Sequence, residues 1–365
     1  MYTLFHGELS GLAVKRPDHI TYHRVFDTVR ETGALHFLHG VCVEKWQGRL
    51  AVCFAYNNGQ ENSASEELLI RWSDDGGESW TAPEHIAPPG DSAHSHSVFL
   101  PGKDGLWCFG PQFYGLGEPP VTEKGHKLIH FRGLQTEAWT LQEGAWRSRG
   151  IVAEGFWPLS APEKTGDGCW LLTGCSENWL AAAARSRGED LLHWDVVCLN
   201  TRGEVFTEAG AWVAGNRVRM IMRNESLRRE GVFHAVTAES TDCGRSFGVC
   251  EETNLPMATS KPFCGRLSDG RPYLIFNTPL PGAPGDRSRL LLGIGAPGES
   301  SIRRLFLLDE GGETKSGRRA ALSYPYGRVM DGKLFIAYSA ESAHEEGRSC
   351  NHNDAMLAIV DEGAL

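Results

Sequence analysis

The residues with the clearest capacity for chemistry stand at the start of six short strand-like segments spread along the chain. They combine proton-transferring and charged groups with aromatic rings: His39, His94, His96, Trp157, Glu208, Lys261, Tyr324 and Tyr326. Imidazole, carboxylate and phenol groups act as general acids, general bases or nucleophiles. Strand starts with a purely structural role are mostly small or apolar, so this set predicts a polar, aromatic pocket of the kind that binds a sugar.

A second set of polar residues lies at the end of the next strand in each repeat or in the loop after it, and is expected to line the same pocket. It comprises Glu61, Asn62, Tyr114 and Arg223. The spacing of His94 and His96 places both imidazoles on one face of a strand, which is also a spacing of metal ligands. No third ligand is identifiable, so the sequence predicts no metal site and no cofactor.

These positions need a scaffold that brings distant segments together, and the sequence contains one. A glycine followed by a short apolar strand recurs six times, beginning at Gly48, Gly105, Gly168, Gly215, Gly270 and Gly332. The copies are about 57 residues apart, the length of one four-stranded propeller blade with its loops. A third strand is expected after each copy, and in the second blade we expect it at residues 127–131.

A turn motif supports the same architecture. The pattern Ser-x-Asp-x-Gly-x-Ser-aromatic begins at Ser73 and again at Ser240, with a weaker echo at Asp190 that keeps only the acid and an aromatic residue. Such a turn joins two strands, because the side-chain oxygens cap backbone N–H groups and glycine takes the positive φ. The sixth blade lacks a fourth strand, which residues 20–26 are expected to supply. We therefore predict an all-β, six-bladed propeller closed by an N-terminal strand, with residues 1–365 as one domain.

The composition limits the possible partners. The net charge of −10 argues against nucleic acid, and no segment approaches the roughly 18 apolar residues of a membrane span. The ten cysteines show no CxxC pair, which favours reduced, buried thiols over a disulfide framework. No signal peptide is recognisable, so a cytoplasmic location is expected.

The repeats and turns resemble those of the sialidase superfamily, whose propellers carry the same Asp-box turns. The resemblance implies that Glu208, at the start of the fourth inner strand, polarises a nucleophilic tyrosine, for which Tyr324 and Tyr326 are the candidates. It also implies that Arg223 grips a substrate carboxylate. The family's first-blade arginine is replaced by His39-Gly40, its fifth-blade arginine has only Lys261 or Arg266 nearby, and its acid/base aspartate has Glu61 or Asn62 as candidates.

Three functions remain open at this point. The first is an exo-acting glycoside hydrolase that cleaves a terminal bond at or next to an acidic sugar, sialic or uronic, with an acidic oligosaccharide as substrate. The second is a lyase on uronate glycans, with His39, His96 and a tyrosine as acid and base; related propellers act on such glycans. The third is a non-catalytic glycan-binding propeller, which the polar strand starts argue against.

Overall fold

Six small antiparallel sheets form a ring in the computed structural model, which describes residues 1–7, 14–226, 233–280, 283, 285–314, 317–342 and 352–365. Successive sheets contact one another mainly through their inner strands, and the sixth sheet contacts the first. The architecture is the predicted six-bladed β-propeller, with almost no helix. No helix among the described residues is long and apolar enough to cross a membrane.

The first three blades lie between residues 37 and 198. Blade 1 contains β2 (Phe37–Trp46), β3 (Arg49–Asn57), β4 (Glu67–Ser73) and β5 (Glu84–His85). Blade 2 contains β6 (Ala93–His94), β7 (Val98–Gly102), β8 (Gly105–Phe113), β9 (Gln135–Gln142) and β10 (Ala145–Glu154). Blade 3 contains β11 (Phe156–Pro158), β12 (Glu163–Lys164), β13 (Trp170–Ser176), β14 (Ala181–Arg187) and β15 (Asp190–Cys198).

The other three blades complete the ring. Blade 4 contains β16 (Phe206–Ala214), β17 (Arg217–Asn224), β18 (His234–Ser240) and β19 (Glu251–Pro256). Blade 5 contains β20 (Phe263–Arg266), β21 (Pro272–Asn277), β22 (Arg289–Ile294) and β23 (Arg304–Glu310). Blade 6 contains β24 (Leu322–Met330), β25 (Lys333–Glu341) and β26 (Asn353–Asp361), and its outer strand is β1 (Thr21–Phe26).

The recurrent glycine-plus-strand phrase forms the second strand of each blade. These strands read as nearly continuous apolar runs because neighbouring blades cover both of their faces, and six consecutive residues of β3 are buried. The tight turns before them need positive φ angles. Asp331 and Gly332 between β24 and β25 have φ of 52° and 73°, the combination that a type I′ hairpin requires.

Both turn motifs form the predicted link between the third and fourth strands of blades 1 and 4. The carboxylate of Asp75 accepts hydrogen bonds from the backbone N–H and the hydroxyl of Ser79, and the hydroxyl of Ser73 accepts one from the N–H of Gly77. Asp242 makes the same contacts in blade 4. In the weaker echo, the indole of Trp194 still donates to the carbonyl of Leu191 at 2.8 Å.

The predicted closure of the ring is confirmed. Strand β1 pairs antiparallel with β26, with Thr21 opposite Ile359 and Phe26 opposite Ala355. A short helix, α1 (Thr28–Thr32), follows and is fixed to blade 1 because the buried guanidinium of Arg71 binds the carboxylate of Glu31 at 2.8 Å. Pairing with β1 covers the edge of β26 and gives the sixth blade the four strands of a complete blade.

The prediction for the third strand of the second blade is wrong. That strand is β9, and residues 127–131 belong to a long connection that makes only isolated bridges, such as Leu116 with Phe131. The segment is apolar for another reason: Phe131 packs on Phe113 and Trp157, with ring centroids 5.4 and 5.0 Å away. Its hydrophobicity comes from packing under a cavity and not from a sheet.

The nine cysteines that the structure describes are free thiols, and all except Cys198 and Cys250 are buried. The expectation of reduced thiols is confirmed for all nine, and the expectation of burial is confirmed for the seven others but is wrong for Cys198 and Cys250.

Candidate active site

Three inner strands share one irregularity that aims side chains at the ring axis. The pairing register shifts in β2 between His39 and Cys42, in β16 between Thr207 and Gly210, and in β24 between Ser323 and Tyr326. The equivalent residue in each bulge has a positive φ: 63° at Gly40, 47° at Glu208 and 54° at Tyr324.

A positive φ is uncommon outside glycine and costs about 1–2 kcal/mol. Bulges re-aim side chains, and such strain persists where the surrounding structure imposes it, often at functional sites. Within the bulges of the inner strands, Glu208 and Tyr324 are the two residues with side chains that adopt this costly conformation, as residues at functional sites often do.

These side chains meet in a cavity of about 170 Å³ at the centre of the ring. Its polar lining consists of His39, Glu61, Asn62, His96, Glu208, Arg223, Arg287 and Tyr324. Its apolar wall consists of Ile129, Phe131, Trp157, Leu159, Cys175 and Trp179. A cavity with an aromatic wall and a few convergent polar groups is the usual form of a small-molecule site.

Glu208, Tyr324 and Arg223 form one hydrogen-bonded unit. The phenol of Tyr324 donates to Oε1 of Glu208, and Nη1 of Arg223 donates to Oε2 at 2.7 Å. Nη1 of Arg223 also lies 3.4 Å from the phenol oxygen. All three side chains are at least nine-tenths buried, so a charge in this unit is poorly screened by water.

The pKa values within this unit diverge. Burial acts to raise the pKa of Glu208, but Arg223 and the phenol hydrogen bond outweigh it and hold that pKa below its usual value. Burial, reinforced by the charge of Glu208, raises the pKa of Tyr324 well above its usual value. Near neutral pH the unit therefore holds a carboxylate beside a protonated phenol, which is the arrangement of a base next to the nucleophile that it activates.

Arg223 is fixed from several sides. Besides Glu208 it binds the carboxylate of Glu225, and its guanidinium lies 4.8 Å from the ring centre of Trp179. Burial acts to lower the pKa of Arg223, but the neighbouring carboxylates raise it above its usual value. Arg223 is a permanent cation at the cavity wall.

Two imidazoles flank the phenol. The ring centre of His39 lies 4.0 Å from that of Tyr324, and the ring centre of His96 lies 5.6 Å from it. Burial lowers the pKa of His39 well below its usual value, and burial together with Lys261 lowers the pKa of His96 to about 3. Both rings are therefore neutral at physiological pH.

Glu61 and Asn62 reach the cavity from the loop after β3. The backbone N–H of Asn62 donates to the buried carboxyl of Glu66, and the φ of Asn62 is 62°. Burial raises the pKa of Glu66 to about 8. A buried carboxyl group that sequence reasoning missed thus holds the loop that carries Glu61.

The structure brings eight of the twelve residues predicted from sequence to the cavity: His39, Glu61, Asn62, His96, Trp157, Glu208, Arg223 and Tyr324. Of the two candidate tyrosines, Tyr326 lies beyond the bulge and packs on Phe263, with ring centres 4.7 Å apart. It does not line the cavity.

Three other predicted residues lie away from the cavity lining. His94 pairs with Glu137 at 3.0 Å, since the strand is interrupted between His94 and Val98. Tyr114 is 43% exposed on the loop after β8. Lys261 is buried beneath Tyr324, where Nζ donates to the carbonyl of Pro325 at 2.8 Å, and burial lowers its pKa to about 8. Residues 343–351 of the polar loop after β25 lie outside the described residues.

Sequence reasoning missed a second guanidinium. Arg287 lines the cavity from the connection between β21 and β22, and it donates to the carbonyl of Thr259 at 2.6 Å. Arg266, one of the two cations considered for the fifth blade, instead donates to the carbonyl of Val213. The position in the repeat could have indicated it. Arg287 follows the second strand of blade 5, and Arg223 lies near the end of the second strand of blade 4.

No group of three or more His, Cys, Asp or Glu side chains within the described ranges is arranged to hold a metal ion. The histidines that share the i, i+2 spacing point to different partners, Glu137 for His94 and the cavity for His96.

Comparison with known proteins places the chain in a family. Residues 112–336 match the model of the family described as BNR repeat-like domain. The chain belongs to the BNR repeat-like domain family. No curated protein sequence matches the chain.

Solved structures share the propeller of this BNR repeat-like protein. A protein of unknown function from Dyadobacter fermentans DSM 18053 has a TM-score of 0.66 and 14% identity, over 94% of this chain and 99% of that one. The NanB sialidase from Streptococcus pneumoniae has a TM-score of 0.64 and 11% identity, over 94% and 70%. The sialidase of Trypanosoma rangeli, solved with sialic acid, has a TM-score of 0.64 and 11% identity, over 95% and 59%. At these identities the likeness establishes a sialidase-like fold.

Proposed function

We propose that this BNR repeat-like protein is an exo-acting glycoside hydrolase that removes a terminal acidic sugar, sialic or uronic, from an oligosaccharide. The observation that carries the proposal is the hydrogen bond from the phenol of Tyr324 to the carboxylate of Glu208 inside an aromatic-walled cavity. Sialidases with a tyrosine nucleophile are a recognised exception among glycosidases, which commonly use two carboxylates. The sialidases among the structural neighbours support the same reaction class.

The reaction divides into two displacements. In the first, the phenol oxygen of Tyr324 attacks the anomeric carbon, its proton passes to Glu208, and the glycosidic C–O bond breaks. Glu61 supplies the proton that the leaving oxygen takes. In the second, water attacks the anomeric carbon and gives a proton to Glu61, while the phenol oxygen leaves and recovers its proton from Glu208. The anomeric configuration is retained, because two inversions restore it.

Arg223 and Arg287 bind the carboxylate of the sugar in this proposal. Both guanidinium groups line the cavity, and Arg–carboxylate hydrogen bonds are among the strongest that a protein makes. The indoles of Trp157 and Trp179 supply the apolar wall against which the ring packs.

The test uses 4-methylumbelliferyl glycosides of N-acetylneuraminate, glucuronate and galacturonate, with absorbance at 235 nm recorded in parallel on uronate oligosaccharides. We expect fluorescence from at least one glycoside and no rise at 235 nm. A fluorinated glycosyl fluoride of the active sugar should label Tyr324, which peptide mass spectrometry detects, and Tyr324→Phe should abolish the label.

A rise at 235 nm without labelling would replace the hydrolase by a lyase, the alternative that the ring of His39, 4.0 Å from that of Tyr324, favours. If neither fluorescence nor absorbance at 235 nm rises but the protein binds a sugar, the hydrolase proposal would give way to a glycan-binding propeller.

A further inference from the structure

The first blade lacks a side chain at the position where blades 4 and 6 place their chemistry. Gly40 stands in the bulge of β2 as Glu208 and Tyr324 stand in the bulges of β16 and β24. Those two residues show that a side chain can be carried there at positive φ. The glycine at this position therefore needs a reason beyond backbone conformation.

The reason is the imidazole of His96, which reaches across from blade 2. A Cβ on residue 40 would lie 2.0 Å from Cγ of His96 and 2.3 Å from its Cβ, far inside van der Waals contact. Gly40 and His96 thus form a complementary pair, in which the absent side chain of one blade makes room for the ring of the next.

The imidazole of His96 has a hydrogen-bond partner at only one of its two nitrogens among the described residues. Nδ1 lies 3.4 Å from the hydroxyl of Ser95, and the ring packs at 4.9 Å against Trp157. Nε2 has no hydrogen-bond partner among the described residues, although the residue is only 8% exposed and lines the cavity. A buried polar atom of this kind costs about 1–3 kcal/mol unless something binds it.

The charges around His96 keep this edge of the cavity neutral. The groups that act on it are Lys261 and Glu208, of opposite sign, and His39, which is itself neutral. The cations of the cavity lining, Arg223 and Arg287, belong to blades 4 and 5. A carboxylate is thus attracted toward those two residues, whereas the His96 edge suits an uncharged hydrogen-bonding group.

We propose that His96 determines substrate specificity by hydrogen-bonding, through Nε2, a hydroxyl or amide group of an acidic monosaccharide whose carboxylate is bound by Arg223 and Arg287. The assignment rests on the proposed function for the identity of the bound sugar. It gives His96 a recognition role and leaves proton transfer to Glu208, Tyr324 and Glu61.

The experiment measures binding, so that it does not depend on turnover. Isothermal titration calorimetry with free N-acetylneuraminate, glucuronate, galacturonate and glucose compares the wild type with His96→Phe, His96→Gln and His85→Gln. His85 is an exposed histidine on β5 that binds Glu67, and it serves as the matched control.

We expect one of the acids to bind the wild type best and glucose not to bind. His96→Phe should lower the affinity for that sugar acid by about tenfold or more, the cost of one lost hydrogen bond to a buried site. His96→Gln, which restores a polar group, should recover most of the affinity, and His85→Gln should match the wild type. In turnover, His96→Phe should raise KM and leave the shape of the pH profile unchanged.

Undiminished affinity in both His96 variants would overturn the assignment, and so would failure of every probe to bind the wild type. A fall in kcat with unchanged KM would overturn it as well, because that result marks a proton-transfer role. If the wild type binds an acid through His96 yet releases no sugar from any glycoside, the proposed hydrolase function fails while the recognition role stands.

Discussion

Replacing Glu208 with glutamine removes the general base while keeping the shape of the site. The amide oxygen of glutamine still accepts a hydrogen bond from the phenol of Tyr324, but it cannot take the proton. A positioned general base contributes about 10²–10⁴ in rate, so kcat should fall by that factor, equivalent to about 2.7–5.5 kcal/mol of activation free energy. KM should change little, because the cavity walls stay in place.

The same substitution has a bounded effect on stability. Arg223 loses a carboxylate 2.7 Å away and keeps Glu225. Loss of one hydrogen bond to a charged group costs about 1.5–3 kcal/mol, so the Tm should fall by several degrees and the variant should remain folded at 25 °C. Thermal unfolding followed by circular dichroism checks this before any kinetic measurement.

The assay is the release of 4-methylumbelliferone from the best acidic glycoside, measured at saturating substrate between pH 4 and pH 9. Glu225→Gln provides the contrast, since it removes the other carboxylate from Arg223 without touching the phenol. Its main effect should be on KM. A Glu208→Gln enzyme with kcat within threefold of the wild type would refute the assignment of Glu208 as the base.

Three further outcomes follow from the packing. Since the buried Glu66 keeps its proton up to a pKa of about 8, against 4.5 for an unperturbed glutamate, the free energy of unfolding should fall as pH rises through that window, and Glu66→Gln should flatten the slope of Tm against pH. Gly40→Ala should lower the free energy of unfolding by about 2–4 kcal/mol through overpacking and backbone strain. In urea unfolding, the double variant with His96→Ala should be destabilised by at least about 1 kcal/mol less than the sum of the two single variants. Deletion of residues 1–27 should expose the edge of β26 and shift the protein toward larger species in size-exclusion chromatography; an elution profile unchanged from that of the wild type would contradict the closure argument.

The sequence was sufficient for the repeat architecture because its signals are local. The turn at Ser73 and the apolar strand after Gly48 depend on residues within a few positions of each other, and they recur along the chain. Residues 127–131 misled for the same reason, since a short apolar segment reads alike whether it pairs in a sheet or packs under a cavity.

The site was predictable only as far as the strand register was. Tyr324 and Tyr326 are two residues apart, and only the bulge in β24 determines that the first faces the cavity. Arg287 lies in a connection with no periodic pattern to mark it. The steric relation of Gly40 to His96 joins two blades, and no spacing along the chain encodes it.

The pairing of β1 with β26 sets a timing constraint on biosynthesis. Thr21 finds its partner, Ile359, 338 positions later in the chain, and at synthesis rates of roughly 5–20 residues per second this takes on the order of 20–70 s. During that interval β1 is outside the ribosome while β26, its partner, has not yet been made. Five blades can assemble as they are made, but the last step must wait for residues 353–361. The newly made protein therefore depends, for roughly 20–70 s, on β1 not pairing with another strand edge.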